Sequence, residues 1–152
     1  MVESRLSELT WEVRRFLEPR WAAWHRREGS PVLATPSQGT CGRSSLFLCR
    51  VLLLNGYSAE FAAGDPTEGR KGFRTSSGWK GHAWVQNRRL ILDVTADQFG
   101  QPPVVITQAD DPRYGRGTDT AEPQFISRRQ RAVERLMADW AAERRGRAEH
   151  ET

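Results

Sequence analysis

Three residues in this chain have types and local settings suited to thiol chemistry: Cys41, His82 and Asp93. A free thiol with a pKa of about 8.5 is only a few per cent thiolate at neutral pH, so a nucleophilic cysteine needs electropositive surroundings, which a helix N-terminus and an imidazolium supply. Cys41 follows Gln38, Gly39 and Thr40 and opens the most apolar stretch of the protein. That stretch, Cys41 to Leu54, predicts a helix buried on nearly all sides and ended by Asn55 and Gly56. Cys49, in mid-helix among leucines, reads as a small buried hydrophobe. On one helix the two thiols stand roughly 12 Å apart in rise, too far for a disulfide.

His82 starts an alternating run through Ala83, Trp84 and Val85, and the chain returns through Leu90, Ile91 and Leu92 to Asp93, which predicts a hairpin. A two-residue turn at Asn87 and Arg88 sets Gln86 opposite Arg89, Trp84 opposite Ile91 and His82 opposite Asp93. Opposed side chains share a face with Cβ atoms about 4.5 to 5.5 Å apart, close enough for a carboxylate to hold one imidazole nitrogen and fix the tautomer of the other. That is the work of a triad's third member. A slip of one residue in the turn is expected to ruin this geometry. The plainer roles are a hydrogen-bonded strand histidine and a strand-ending carboxylate beside Thr95, which with Gln98 forms a capping box for a following turn.

The remaining elements must hold these residues in place. Leu6, Leu9, Val13, Phe16 and Leu17 form a helical stripe, and Pro19 starts a second segment carrying Trp21 and Trp24, so residues 1–28 predict two short packing helices. Residues 29–40 read as a loop, Tyr57 to Ala63 as a strand, and Val104 to Thr107 as another. Gly64 to Gly78 reads as a long mobile loop that borders the cleft and selects the substrate, with Phe73 its one large apolar group able to contact a ligand. Asp110 to Glu122 is polar and irregular, and a C-terminal helix is expected over 123–147. The fold class is α+β: the Cys41 helix packs on a small antiparallel sheet, with extra helices at both termini, in a single domain.

Composition bounds the function. With 152 residues, 38% hydrophobic and 28% charged, the chain suits one ordinary domain with a real core. The longest apolar run is interrupted by Arg50 and falls far short of the roughly 20 residues a membrane helix needs, so no membrane partner is expected. Glu3, Glu8 and Glu12 sit where a secretory signal needs a continuous apolar region, which favours a cytoplasmic protein or one secreted without a cleaved signal. The net charge is +4, and all but Lys71 and Lys80 of the 23 basic residues are Arg, spread along the chain and interleaved with acids. A nucleic-acid partner is disfavoured, because such a site needs its arginines gathered with stacking aromatics. The pattern asks for no cofactor and no metal.

Gly-His-Ala-Trp-Val at 81–85 and Leu-Asp-Val-Thr-Ala-Asp-Gln-Phe at 92–99, together with a cysteine at the start of a buried helix, resemble the bacterial transglutaminase-like branch of the papain-like thiol enzymes. The resemblance covers roughly residues 36–107. It implies a papain-like, transglutaminase-like core with Cys41 as nucleophile, His82 as general base and Asp93 as the residue that orients the histidine. Gln38 is a candidate oxyanion donor with the backbone N–H of Cys41, and Trp84 and Gln98 are candidates for oxyanion or substrate contact. Gln38-Gly39-Thr40-Cys41-Gly42 also resembles the Gln-Gly-Ser-Cys-Gly run before the nucleophile of papain-type peptidases, a register that puts Ser44 at the nucleophile position. Cys41 is preferred, since it sits where the transglutaminase-like pattern wants its cysteine. The implied activity is acyl transfer at an amide of a protein or peptide, by a peptidase, glutamine deamidase or transglutaminase, in a family that includes bacterial toxins and effectors. The alternative is a catalytically inert papain-like fold that binds a protein or a nucleic acid.

Overall fold

The apolar stripe at the N-terminus keeps its helical spacing straight across Pro19. In the computed structural model, which describes residues 2–29 and 35–151, it forms one helix, α1 (Val2–Glu28), rather than the two expected. A proline in a helix interior removes one intrahelical bond and costs about 3 kcal/mol. Leu9, Val13 and Leu17 before it and Trp21 and Trp24 after it are all buried in the same core. Burying two tryptophans is worth about 1.5 to 3 kcal/mol or more apiece, so the continuous helix wins. The loop expected over 29–40 falls partly on 30–34, outside the described residues; residues 35–39 form a turn.

Helix α2 (Cys41–Leu54) has the predicted bounds, and Gly56 closes it at φ 86° with its N–H on Leu53 O and that of Tyr57 on Leu52 O. One flank is open, for Leu53 and Leu54 are exposed. Four strands, β1 (Glu60–Gly64), β4 (His82–Asn87), β5 (Leu90–Asp93) and β6 (Val105–Gln108), form an antiparallel sheet in the order β1-β4-β5-β6. Three more, β2 (Gly72–Thr75), β3 (Gly78–Lys80) and β7 (Tyr114–Gly115), form a second sheet in the order β3-β2-β7. Helix α3 (Pro123–Glu151) completes the chain. Mixed helices and small antiparallel sheets make this an α+β protein. No helix among the described residues is long and apolar enough to cross a membrane.

The larger sheet is covered on both faces. Val85 and Leu92 face a core built from α1, from Phe47, Leu48 and Leu52 of α2, and from Val133, Leu136 and Trp140 of α3. Ala62, Trp84 and Ile91 face a second cluster with Phe73 and Tyr114 from the small sheet. Two-sided burial explains why His82 to Val85 are all buried although they alternate in direction.

The expected loop at Gly64 to Gly78 is therefore structured, as a 3-10 turn (Pro66–Glu68) and the β2-β3 hairpin. Two of its glycines, Gly64 and Gly72, serve close backbone approach. A Cβ on Gly64 would stand 2.3 Å from Gly115 O, and one on Gly72, at φ 100°, would stand 2.0 Å from Lys80 O. Phe73 is 1% exposed and stacks on Phe99 at 4.8 Å, so it belongs to the core and cannot select a ligand. The polar 110–122 segment, expected to be irregular, contributes β7.

Candidate active site

The β4-β5 register differs from the expected one. Gln86 pairs with Ile91 and Asn87 with Leu90, so the turn residues are Arg88 and Arg89, with Arg88 at φ 48°. Continuing that register sets Asp93 opposite Trp84, two residues from His82 and on the same face. Shifting the turn by one residue moves the pairing by two, which preserves facing; the expectation that such a slip would ruin the geometry is corrected. Diagonal neighbours lie about 7 to 8 Å apart at Cα, within reach of a long side chain. His82 Nε2 indeed donates to Asp93 Oδ2 at 2.6 Å.

Asp93 is fully buried, and its charge is held by several donors. Oδ2 also accepts from Tyr114 Oη at 2.8 Å, and Oδ1 accepts from the Thr95 backbone N–H at 2.9 Å. Burial alone would push the carboxyl up, but the facing imidazolium and these hydrogen bonds hold it below the usual carboxylate range. For His82 burial opposes the charged form, while the Asp93 carboxylate and the Cys41 thiol outweigh it and raise the imidazolium from 6.5 to about 10. Burial and the adjacent carboxylate raise Tyr114, so it stays a neutral donor. Phe73, Phe99 and Trp84 surround the imidazole with ring centroids at 5.8, 5.0 and 6.0 Å, which keeps water from the pair.

Cys41 is the first residue of α2 and His82 the first of β4, and both line one cleft of about 220 Å³ with Phe61, Gly64, Asp65 and Arg129. The thiol acts on the imidazole, yet His82 Nδ1 has no partner at hydrogen-bond distance, so the contact is not a closed hydrogen bond. Long nucleophile-to-base contacts are common in unliganded sites. Cys41 is partly exposed, whereas Cys49 is buried and its thiol is pushed up by burial. The N-terminal position gives Cys41 the positive end of the helix dipole and the first unsatisfied N–H groups.

Ser44, the nucleophile position in the papain-type register, is fully buried, accepts from Trp21 Nε1 at 2.9 Å and donates to Thr40 Oγ1 at 3.1 Å. It does not line the cleft and is part of a network that fixes the turn before Cys41. Thr40 Oγ1 donates to Ser37 O at 2.7 Å, and Ser37 Oγ to Asp97 Oδ1 at 2.6 Å. Asp97 in turn pairs with Arg14, which is 5% exposed and whose guanidinium also donates to Val94 O at 2.9 Å. Helix α1 thus does more than pack: it anchors the start of α2.

The structure brings Cys41, His82 and Asp93 to one place and leaves the other three candidates apart from the cleft. Gln38 is exposed in the turn at 35–39 and does not line it. Trp84 is 1% exposed and packs against His82 and Tyr114, which corrects its assignment to substrate contact. Gln98 Nε2 donates to Thr95 O at 3.0 Å. The capping box is not formed, since the Thr95 side chain makes no cap hydrogen bond and turns to Asp93 instead. Sequence reasoning missed Tyr114, whose one signal was a lone aromatic inside a polar run, and the Arg14 network, which has no local signal. Among the described residues no group of His, Cys, Asp and Glu side chains is arranged to hold a metal.

Comparison of the chain with protein-family models, curated proteins and solved structures finds no match.

Proposed function

We propose that this protein is a thiol-dependent acyl-transfer enzyme acting on an amide of a protein or peptide, with Cys41 as nucleophile, His82 as general acid and base, and Asp93 as the residue that orients the imidazole. The observation that carries the reading is the buried His82, with Nε2 bonded to a buried carboxylate and Nδ1 left without a partner beside a cleft that Cys41 also lines. A papain-like, transglutaminase-like core accords with the helix-on-sheet arrangement around these three residues and with the motifs at 81–85 and 92–99.

In this reaction the Cys41 sulfur forms a bond to the amide carbonyl carbon, and the carbon–nitrogen bond then breaks. His82 gives its Nδ1 proton to the departing amine. Water or a second amine attacks the thioester, His82 takes back a proton from it, and the carbon–sulfur bond breaks to restore the thiolate. In this reading, backbone N–H groups at the start of α2 receive the oxyanion. Water yields a peptidase or a glutamine deamidase, and a lysine amine yields a transglutaminase; a toxin or effector role accords with any of them.

The test is addition of wild type or Cys41→Ala to a cell lysate, followed by mass spectrometry for cleaved, deamidated or cross-linked peptides. Products present only with wild type are expected. Identical peptide populations from both proteins would favour the inert binding protein.

A further inference from the structure

The cleft does not end at the nucleophile. Gly42 and Arg129, which line it beside Cys41, also line a second groove of about 360 Å³ whose walls include Arg43, Phe125 and Arg128. Gly42 lets the Arg129 side chain lie close against the start of α2, because a Cβ there would stand 3.3 Å from Arg129 Cδ. The groove and the cleft therefore adjoin across Gly42 and Arg129, and Gly42 is the residue next to Cys41.

The two halves carry opposite surplus charge. On the His82 side, Asp119 is neutralised by its ion pair with Arg129, and Asp65 remains without a cationic partner among the described residues. On the far side, Arg43 is paired with Glu28 at 3.4 Å and lies over Trp24. Arg128 has no carboxylate partner among the described residues; its guanidinium lies 5.6 Å from the Phe125 ring, and Phe125 is 53% exposed. An unpaired guanidinium beside an exposed aromatic, in a groove that adjoins the nucleophile's cleft, has the composition of a binding subsite rather than of a solvated helix face.

We propose that this groove binds an acidic residue of the acyl donor, with its carboxylate on the Arg128 guanidinium and its methylene stem on Phe125, next to the amide that Cys41 attacks. The inference rests on the reading of Cys41 as the nucleophile. A peptide fits better than a polyanion, because a nucleic acid needs a row of free cations along its backbone and this groove offers one.

The test uses the full chain and chloroacetyl tetrapeptides that differ only in carrying Glu, Gln or Lys at one position, with the rate of Cys41 labelling read by mass spectrometry and normalised to iodoacetamide. At low salt the Glu probe should label Cys41 about three- to fivefold faster than the Gln probe, as one exposed ion pair allows, and the Lys probe more slowly than either. Arg128→Gln should erase the difference and Arg128→Glu should reverse it, with the iodoacetamide rate unchanged in both. Equal Glu and Gln rates at a Cys41 that still reacts readily with iodoacetamide would overturn this inference and leave the nucleophile standing. A Cys41 no more reactive than Cys49 toward iodoacetamide would overturn both. Protection of Cys41 by a single-stranded oligonucleotide at lower concentration than by the Glu peptide would overturn it in favour of a nucleic-acid ligand.

Discussion

His82 and Tyr114 donate to the same oxygen: Oδ2 of Asp93 accepts from the imidazole at 2.6 Å and from the phenol at 2.8 Å. Both donors are buried, so the carboxylate depends on them in place of water. Tyr114→Phe removes one charge-assisted hydrogen bond while keeping the ring that packs on Phe73 and Trp84. The expected cost is about 1.5 to 3 kcal/mol, read as a lower midpoint in urea unfolding with the slope unchanged. An unchanged midpoint would show that Thr95 and His82 suffice to hold the charge.

The same cluster fixes a pH dependence. His82 is raised in the folded state, so its contribution to stability is complete below about pH 6.5 and is lost as the pH rises toward about 10. Asp93 is lowered, so its contribution is present above its ordinary value of 3.8 and is lost as the pH falls through the depressed one. Urea midpoints measured from pH 4 to 10 should therefore decline on the alkaline side in wild type, and His82→Gln should flatten that limb. Parallel alkaline limbs in the two proteins would rule out the imidazolium as their source.

Much of the site was legible because its signals are local. The α2 boundaries followed from an apolar run between Thr40 and Gly56, and the facing of His82 and Asp93 from alternation within a short hairpin. The turn falls one residue later than the sequence suggests, since Asn87 and Arg88 lack a decisive left-handed pair, yet the face survives because that shift preserves parity. Phe73 and Trp84 read as ligand contacts in the sequence for a physical reason: a large apolar group in a Gly-rich or catalytic neighbourhood looks like a ligand surface until a second sheet covers it. The small sheet was hidden because its strands are two to four residues long and pair across distant segments.

Gly72 marks where those strands meet β3. With φ at 100° and a Cβ position 2.0 Å from Lys80 O, Gly72→Ala must push β2 away from β3 and open the hairpin. A loss on the order of 2 to 3 kcal/mol is expected in thermal or urea unfolding, against a gain of about 0.5 to 1 kcal/mol at Gly146, which lies in the open inside α3. Equal tolerance of alanine at both positions would contradict the close approach.

Arg14 tests the anchoring role of α1. Arg14→Leu leaves the Asp97 carboxylate, whose side chain is 13% exposed, without its cation, with an expected cost of about 3 kcal/mol. Arg14→Leu combined with Asp97→Leu should cost less than the sum of the two single changes, because the pair is removed together. Additive losses in a double-mutant cycle would mean that the two residues act separately.

The central claim is that His82, held by Asp93, activates Cys41, and the most direct measurement is the rate of iodoacetamide labelling of each cysteine at neutral pH, resolved by peptide mass spectrometry. Cys41 is partly exposed at a helix start beside the imidazole, while Cys49 is buried with its thiol pushed up. Cys41 should react at least about tenfold faster than Cys49, and His82→Ala should slow Cys41 by about tenfold or more while Asp93→Asn slows it less. A Cys41 rate that is the same in wild type and His82→Ala would contradict the claim.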